Sequence, residues 1–219
     1  MSVPVADDGR IRCGWVPTDS SPNGVLYREY HDTEWGRQLR GTVPLFERVS
    51  LEAFQSGLSW LTILRKRDGF RHAFEGFDIE KVARFTDHDI ARLMADTAIV
   101  RNRSKIEATI NNARAIEDLD TDFSDLLWSF APAGKARPAE LSTVPAITAE
   151  STAMAKELKR RGLRFVGPTT AYALMQATGM VEITWPRAGC RWRPERHLSG
   201  HGRCVSPGLF TLWRRNREQ

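Results

Sequence analysis

From Pro44 to Met175 apolar residues recur three and four positions apart, and no segment alternates apolar and polar for long. Leu45, Phe46, Val49 and Ala53 set the period, and Pro44 suits a first helical turn. Further helices are expected at about 70–74, 79–83, 87–95, 103–117 and 151–161, with Asp87 and Ser104 as caps. β-Branched residues are scattered, so the fold class is all-α. Residues 1–43 read mostly as loop with short helical pieces, given Pro4, Pro17 and Ser20-Ser21-Pro22-Asn23-Gly24. Residues 131–145 read as the one long irregular connection, and there is no internal repeat.

The net charge of +5 invites a nucleic-acid reading, but its distribution weakens it. From Val181 onward there are 8 arginines and 3 glutamates, 8 − 3 = +5, which leaves 32 − 8 = 24 basic and 27 − 3 = 24 acidic residues before it. Any DNA binding by that neutral body must come from local patches and helix termini. No run approaches the roughly 18 to 20 apolar residues of a membrane span, and residues 1–11 lack a signal-type apolar stretch, so a soluble, cytoplasmic protein is expected. Its 3 cysteines are too few and scattered for a disulfide framework.

Three constellations carry chemistry. Glu52 lies three residues after Val49 and seven after Leu45, which puts a carboxylate on the apolar stripe of its helix, where ionised groups are costly unless paired or used. Trp15, Tyr27, Tyr30, Trp35 and Trp60 supply flat polarizable faces. Together these groups suit a pocket for a flat cationic ring; core tryptophans and a glutamate paired with a structural arginine are the plainer alternative. Residues 157–175 read as helix, glycine-bounded hairpin, helix, with Gly162 a stop and Gly167-Pro168-Thr169 a new start. Unpaired N–H groups at that start, beside Lys159, Arg160, Arg161 and Arg164, could seat one phosphate, although a glycine-containing turn between two helices is more often only a turn. Cys13 and His31, eighteen positions apart, could be half of a tetrahedral zinc site, but two ligands do not make one, and a buried cysteine and a loop histidine are the commoner reading of such a pair.

Taken in order, Arg12-Cys13-Gly14-Trp15, Tyr30-His31-Asp32-Thr33-Glu34-Trp35-Gly36, residues 51–60, Arg101 to Ile106, Asn112-Ala113-Arg114-Ala115, Trp128-Ser129-Phe130 and Phe165 to Thr170 resemble the bacterial 3-methyladenine DNA glycosylase I family of the helix-hairpin-helix superfamily. The resemblance covers residues 11–181 and implies two helical lobes around a base pocket. It implies that Glu52 contacts the methylated adenine, that Tyr30 and Trp60 pack around it, and that Trp15 and Tyr27 lie near the same wall. Gly167, Thr169 and Arg164 match the hairpin that grips DNA backbone. The implied activity is hydrolysis of the N-glycosidic bond of 3-methyladenine in alkylated double-stranded DNA, by a monomer, leaving an abasic site without strand cleavage.

The resemblance also implies a structural zinc held by Cys13, His31 and a second, C-terminal His and Cys. Where that second pair is due, the chain reads Glu182-Ile183-Thr184-Trp185-Pro186-Arg187-Ala188-Gly189-Cys190, and the histidine is absent. Residues 182–219 turn rich in Arg, Trp, Gly and Pro and lose helical periodicity, as an out-of-frame translation of a GC-rich gene would. Cys190, His197, His201 or Cys204 are the substitute ligands if the tail is genuine. Ala98 stands where the family usually has glycine, a methyl expected to tighten a turn. The competing reading from another class is a DNA-binding or damage-recognition module that keeps the fold and has lost catalysis through the altered terminus.

Overall fold

The computed structural model describes residues 12–13, 15–134 and 144–181. Its helices are α1 (Pro22–Thr33), α2 (Thr42–Gln55), α3 (Trp60–Ala73), α4 (Ile79–Ala83), α5 (Asp87–Ala95), α6 (Arg103–Glu117), α7 (Phe123–Trp128), α8 (Ala149–Arg160) and α9 (Pro168–Ala177), with a 3₁₀ turn at Glu75–Phe77. Among the described residues there is no β-strand, so the all-α expectation holds. The tail expected from residue 182, with Cys190, His197, His201 and Cys204, lies outside the described residues.

Two compact units divide the chain. One holds Leu39–Ala131 and Ile147–Met175; the other holds Met1–Gln38, Pro132–Ala146 and Gln176–Gln219.

The first unit is built on phenylalanines. Phe54 and Phe70 pack with ring centroids 4.6 Å apart, and Phe74 stacks on Phe77 at 5.6 Å and 11°. All four are fully buried, which removes several hundred Å² of apolar surface from water and is the main drive for this unit. Burial also holds Phe77 at φ 58, in the left-handed region, where the chain turns sharply out of α3. Helix α4 packs chiefly against α6.

Several helix starts differ from expectation, for one reason. Asp87 and Ser104 sit inside α5 and α6, and the caps are Thr86 and Asn102. Asn102 Oδ1 accepts the Lys105 N–H at 3.1 Å, and the Asp89 carboxylate reaches back to the Thr86 N–H at 2.9 Å. Likewise Ser20 to Gly24 is the opening of the twelve-residue α1: Ser21 Oγ accepts the Gly24 N–H at 3.1 Å, with Pro22 next in line. Residues favoured in turns are those favoured at N-caps, because both roles need a short side-chain acceptor beside an orphan N–H. The stretch expected at 70–74 is the end of the much longer α3, and α7, six residues long, is too short to show a helical period in the sequence.

Ala98 is easily accommodated. It is not among the residues at positive φ, its N–H is accepted by Asp96 Oδ1 at 2.8 Å, and its methyl rests on Gly69 of α3. The demand for smallness falls on Gly69, where an added Cβ would lie 2.6 Å from the Ala98 carbonyl oxygen.

Candidate active site

Helix α2 turns Leu45, Phe46, Val49 and Ala53 into the core, and helical spacing carries Glu52 inward with them, to 5% exposure. No hydrogen bond or ion pair reaches its carboxylate from the described residues. Burial pushes its pKa up to about 7, with the Arg48 charge pulling the other way. A carboxyl group buried without a partner is a standing cost, and such groups concentrate at functional sites because a ligand can supply what the fold withholds.

Trp60 opens α3 and is 3% exposed; the Arg48 guanidinium lies 5.7 Å from its ring centroid. The turn from Glu52 to Trp60 is fixed at three points. Ser59 Oγ caps α3 through the Thr62 N–H at 3.2 Å, Gly57 takes φ 82, and Lys105 Nζ donates to the carbonyls of Phe54 at 2.9 Å and Ser56 at 2.5 Å. Those carbonyls end α2 without helical partners, and the buried Lys105 ammonium, whose pKa burial lowers, complements that negative helix end. Arg48 and Lys105 were not singled out from sequence. Arg48 had a signal, a basic residue one turn ahead of a stripe carboxylate.

In the other unit, Trp15 is the hub of an aromatic cluster. Its ring meets Tyr27 at 5.7 Å, Trp35 at 5.5 Å and His31 at 5.4 Å, all edge to face, and Tyr30 at 6.4 Å. Tyr30 is buried and Tyr27 half-buried. Trp15 Nε1 is buried with no hydrogen-bond partner among the described residues, a donor left over in an apolar wall.

Beneath that cluster, His31 Nε2 lies 3.1 Å from Cys13 Sγ, and His31 Nδ1 donates to Asp32 Oδ1 at 2.8 Å. Arg12 grips the same carboxylate with Nε at 2.9 Å and Nη2 at 2.6 Å. Burial opposes ionisation of Asp32, yet hydrogen bonds from His31 and Arg12 hold its carboxyl well below the usual range. A thiol and an imidazole converging, with a carboxylate on the far ring nitrogen, fit one half of a tetrahedral zinc site and its outer shell. No third metal-ligating side chain joins them among the described residues.

The hairpin between α8 and α9 is held from α6. Asn112 clamps Arg164 twice, its Nδ2 donating to the Arg164 carbonyl at 3.0 Å and its Oδ1 accepting the Arg164 N–H at 2.7 Å; Asn111 Nδ2 donates to the Gly162 carbonyl at 2.8 Å. Gly162 at φ 90 makes the turn, and Phe165, 44% exposed, is held at φ 59. The Gly167 carbonyl accepts the Ala171 N–H at 2.8 Å, which begins α9. Pro168 has no N–H, so Thr169 and Thr170 carry the open donors of the first turn, with Gly167 and the exposed Arg164 in the adjoining hairpin. The basic cluster read from sequence is partly spent, however. Glu157 takes Arg160 at 2.6 Å and Arg161 at 2.7 Å, and Arg161 also meets Asp120 at 2.7 Å.

Among the described residues, helices alone carry a carboxylate buried without a hydrogen bond and a helix-hairpin-helix turn. A family model for methyladenine glycosylase matches residues 20–191, and the chain belongs to that family. It is 43% identical over 175 residues to DNA-3-methyladenine glycosylase 1 of Escherichia coli (strain K12), covering 78% of this chain and 91% of that one. Among solved structures, a 3-methyladenine DNA glycosylase I crystal structure superposes with a TM-score of 0.76 at 41% identity, over 82% of this chain and 98% of that one. A single-residue variant of such an enzyme in complex with 3-methyladenine gives 0.72 at 33%, over 80% and 95%.

Proposed function

We propose that this chain hydrolyses the N-glycosidic bond of 3-methyladenine in alkylated duplex DNA, as the first step of base excision repair. The observation that carries the reading is Glu52, a carboxylate enclosed on the apolar face of α2 without a hydrogen bond from the described residues. N3-methylation leaves the attached adenine cationic, so a buried carboxylate and aromatic faces favour it over neutral adenine by charge as well as by shape. Glu52 meets that charge, and Trp60, on the same unit, offers a stacking face; the family resemblance adds Tyr30, Trp15 and Tyr27 as base-binding residues.

The lesion leaves the stack at reduced cost, because a damaged base is weakly paired. Its positive charge also makes it a good leaving group: as the C1′–N bond breaks, its electron pair returns to the ring and neutralises it. Water then adds to C1′ and releases its proton to solvent. Glu52 stabilises positive charge spreading towards the sugar in the transition state, which is electrostatic assistance without a covalent step. Gly167, Thr169 and Arg164 hold one backbone phosphate and set the register without reading sequence.

Zinc, if bound, takes Cys13 and His31 as two ligands and supplies a structural tie; no chemical step passes through it. We further propose that the protein acts as a monomer in the cytoplasm; no helix among the described residues is long and apolar enough to cross a membrane. Release of 3-methyladenine from methylated duplex by the wild type and by Glu52→Gln tests the reading. Loss of release in a folded variant supports it. Undiminished release removes Glu52 from the mechanism, and no release by the wild type favours a binding module.

A further inference from the structure

Glu52 shares α2 with a second enclosed charge. Arg48 sits one turn earlier, is 8% exposed, and lays its guanidinium over the Trp60 ring. The two opposite charges stand at i and i+4 on one helix face within a phenylalanine-lined unit, close enough along the helix for each to feel the other in a poorly solvated setting. An apolar residue at 48 would continue the stripe set by Leu45 and Val49 more cheaply.

We propose that Arg48 is a positioning residue for base recognition: a resident cation that holds the Trp60 face and the Glu52 carboxylate together as one preset, charged wall. The inference rests on the reading of Glu52 given above. Glu52 favours a cationic base by charge only when ionised, and burial acts to keep it protonated at neutral pH. Arg48 opposes that effect without forming an ion pair that would occupy the carboxylate oxygens. Its charge therefore serves Glu52 from one turn away, while its guanidinium rests over the Trp60 ring, 5.7 Å from the centroid.

Charged groups on the elements packed against α2 do not substitute for it. Arg71 of α3 is bound to Glu47 and Asp68, Lys105 of α6 to the carbonyls of Phe54 and Ser56, and Glu75 of the 3₁₀ turn and Asp125 of α7 are exposed. Among the described residues Arg48 is the charge that acts on Glu52.

The test uses the full chain and its variants Arg48→Met, Arg48→Lys and Glu52→Gln. The Glu52 titration is read directly by carbon NMR of glutamate-labelled protein, with Glu52→Gln assigning the signal. Single-turnover release of 3-methyladenine from methylated duplex is measured from pH 6 to 9 alongside. In R48M the Glu52 midpoint and the acid limb of the release profile should move up together by about one pH unit. Release should then fall roughly tenfold at pH 6.5 and recover to within about twofold at pH 9, because one unit is a tenfold change in the ionised fraction. R48K should restore both midpoints, a rescue that packing alone would not produce. Where R48M melts below the assay temperature, R48Q replaces it.

A profile for R48M that superposes on the wild type while E52Q abolishes release overturns the Arg48 inference alone. Full release by E52Q overturns the reading of Glu52 and this inference with it.

Discussion

The two units solve opposite problems with charge. Around Glu52, regular helix packing encloses a carboxylate and leaves it without a hydrogen bond from the described residues, so its ionisation is suppressed. Around His31, Asp32 lies between Arg12 and the imidazole, bonded to both, and its ionisation is secured. One carboxylate lowers stability and is available to a ligand; the other fastens an N-terminal segment to α1 across twenty residues of sequence and has no spare capacity. The contrast is the one expected between recognition and scaffolding, on the reading of Glu52 proposed above: a group that is to meet a ligand is left unsatisfied by its own fold, and a group that fastens the fold is not.

The sharpest way to break the contrast is Glu52→Gln. Release of 3-methyladenine should fall by about 100-fold, the scale for removing one preorganised electrostatic group. Stability should not fall with it. The folded pKa of Glu52 is raised from 4.5 to about 7, so stability is full below 4.5 and is lost as pH rises through that window, by roughly 3 kcal/mol for 2.5 units. Urea denaturation of E52Q should lose this slope; an unchanged slope would mean that Glu52 finds a partner in solution.

Asp32→Ala should show the reverse signature. Removing a carboxylate that Arg12 and His31 both use takes charge-assisted hydrogen bonds from both, and a loss of about 2 kcal/mol by urea denaturation at pH 7 is expected. Because the folded pKa of Asp32 is depressed, that stabilisation is present above 3.8 and fades as pH falls below it. A variant as stable as the wild type would show that the tie is redundant.

Smaller effects separate the hairpin's support from its contact surface. Asn112→Ala removes both bonds to the Arg164 backbone and should weaken binding to undamaged duplex about fivefold, measured by fluorescence anisotropy. Arg164→Ala should cost about threefold and lower the slope of log K against log salt by about one, since one phosphate contact is lost. An unchanged slope would place Arg164 off the DNA.

Periodicity made the helical class and the inward placement of Glu52 legible, because a side chain's face follows from its position modulo 3.6 and needs no knowledge of its neighbours. Helix starts were less legible: Ser21 and Pro22 carry the same residue signals in a loop and at an N-cap. The basic hairpin was overcounted. Glu157 stands three and four residues before Arg160 and Arg161, so that pairing could have been seen, whereas Asp120 is 41 residues away and could not.

The family and the candidate carboxylate therefore followed from the order of residues alone. Which arginines are spent on internal pairs, that Lys105 closes the end of α2, that Arg48 lies over Trp60, and that Arg12 and His31 share Asp32 were decided by the tertiary structure. A pattern along the chain determines which face of a helix is buried; the partner of a charge depends on distances across the fold, and only packing sets those.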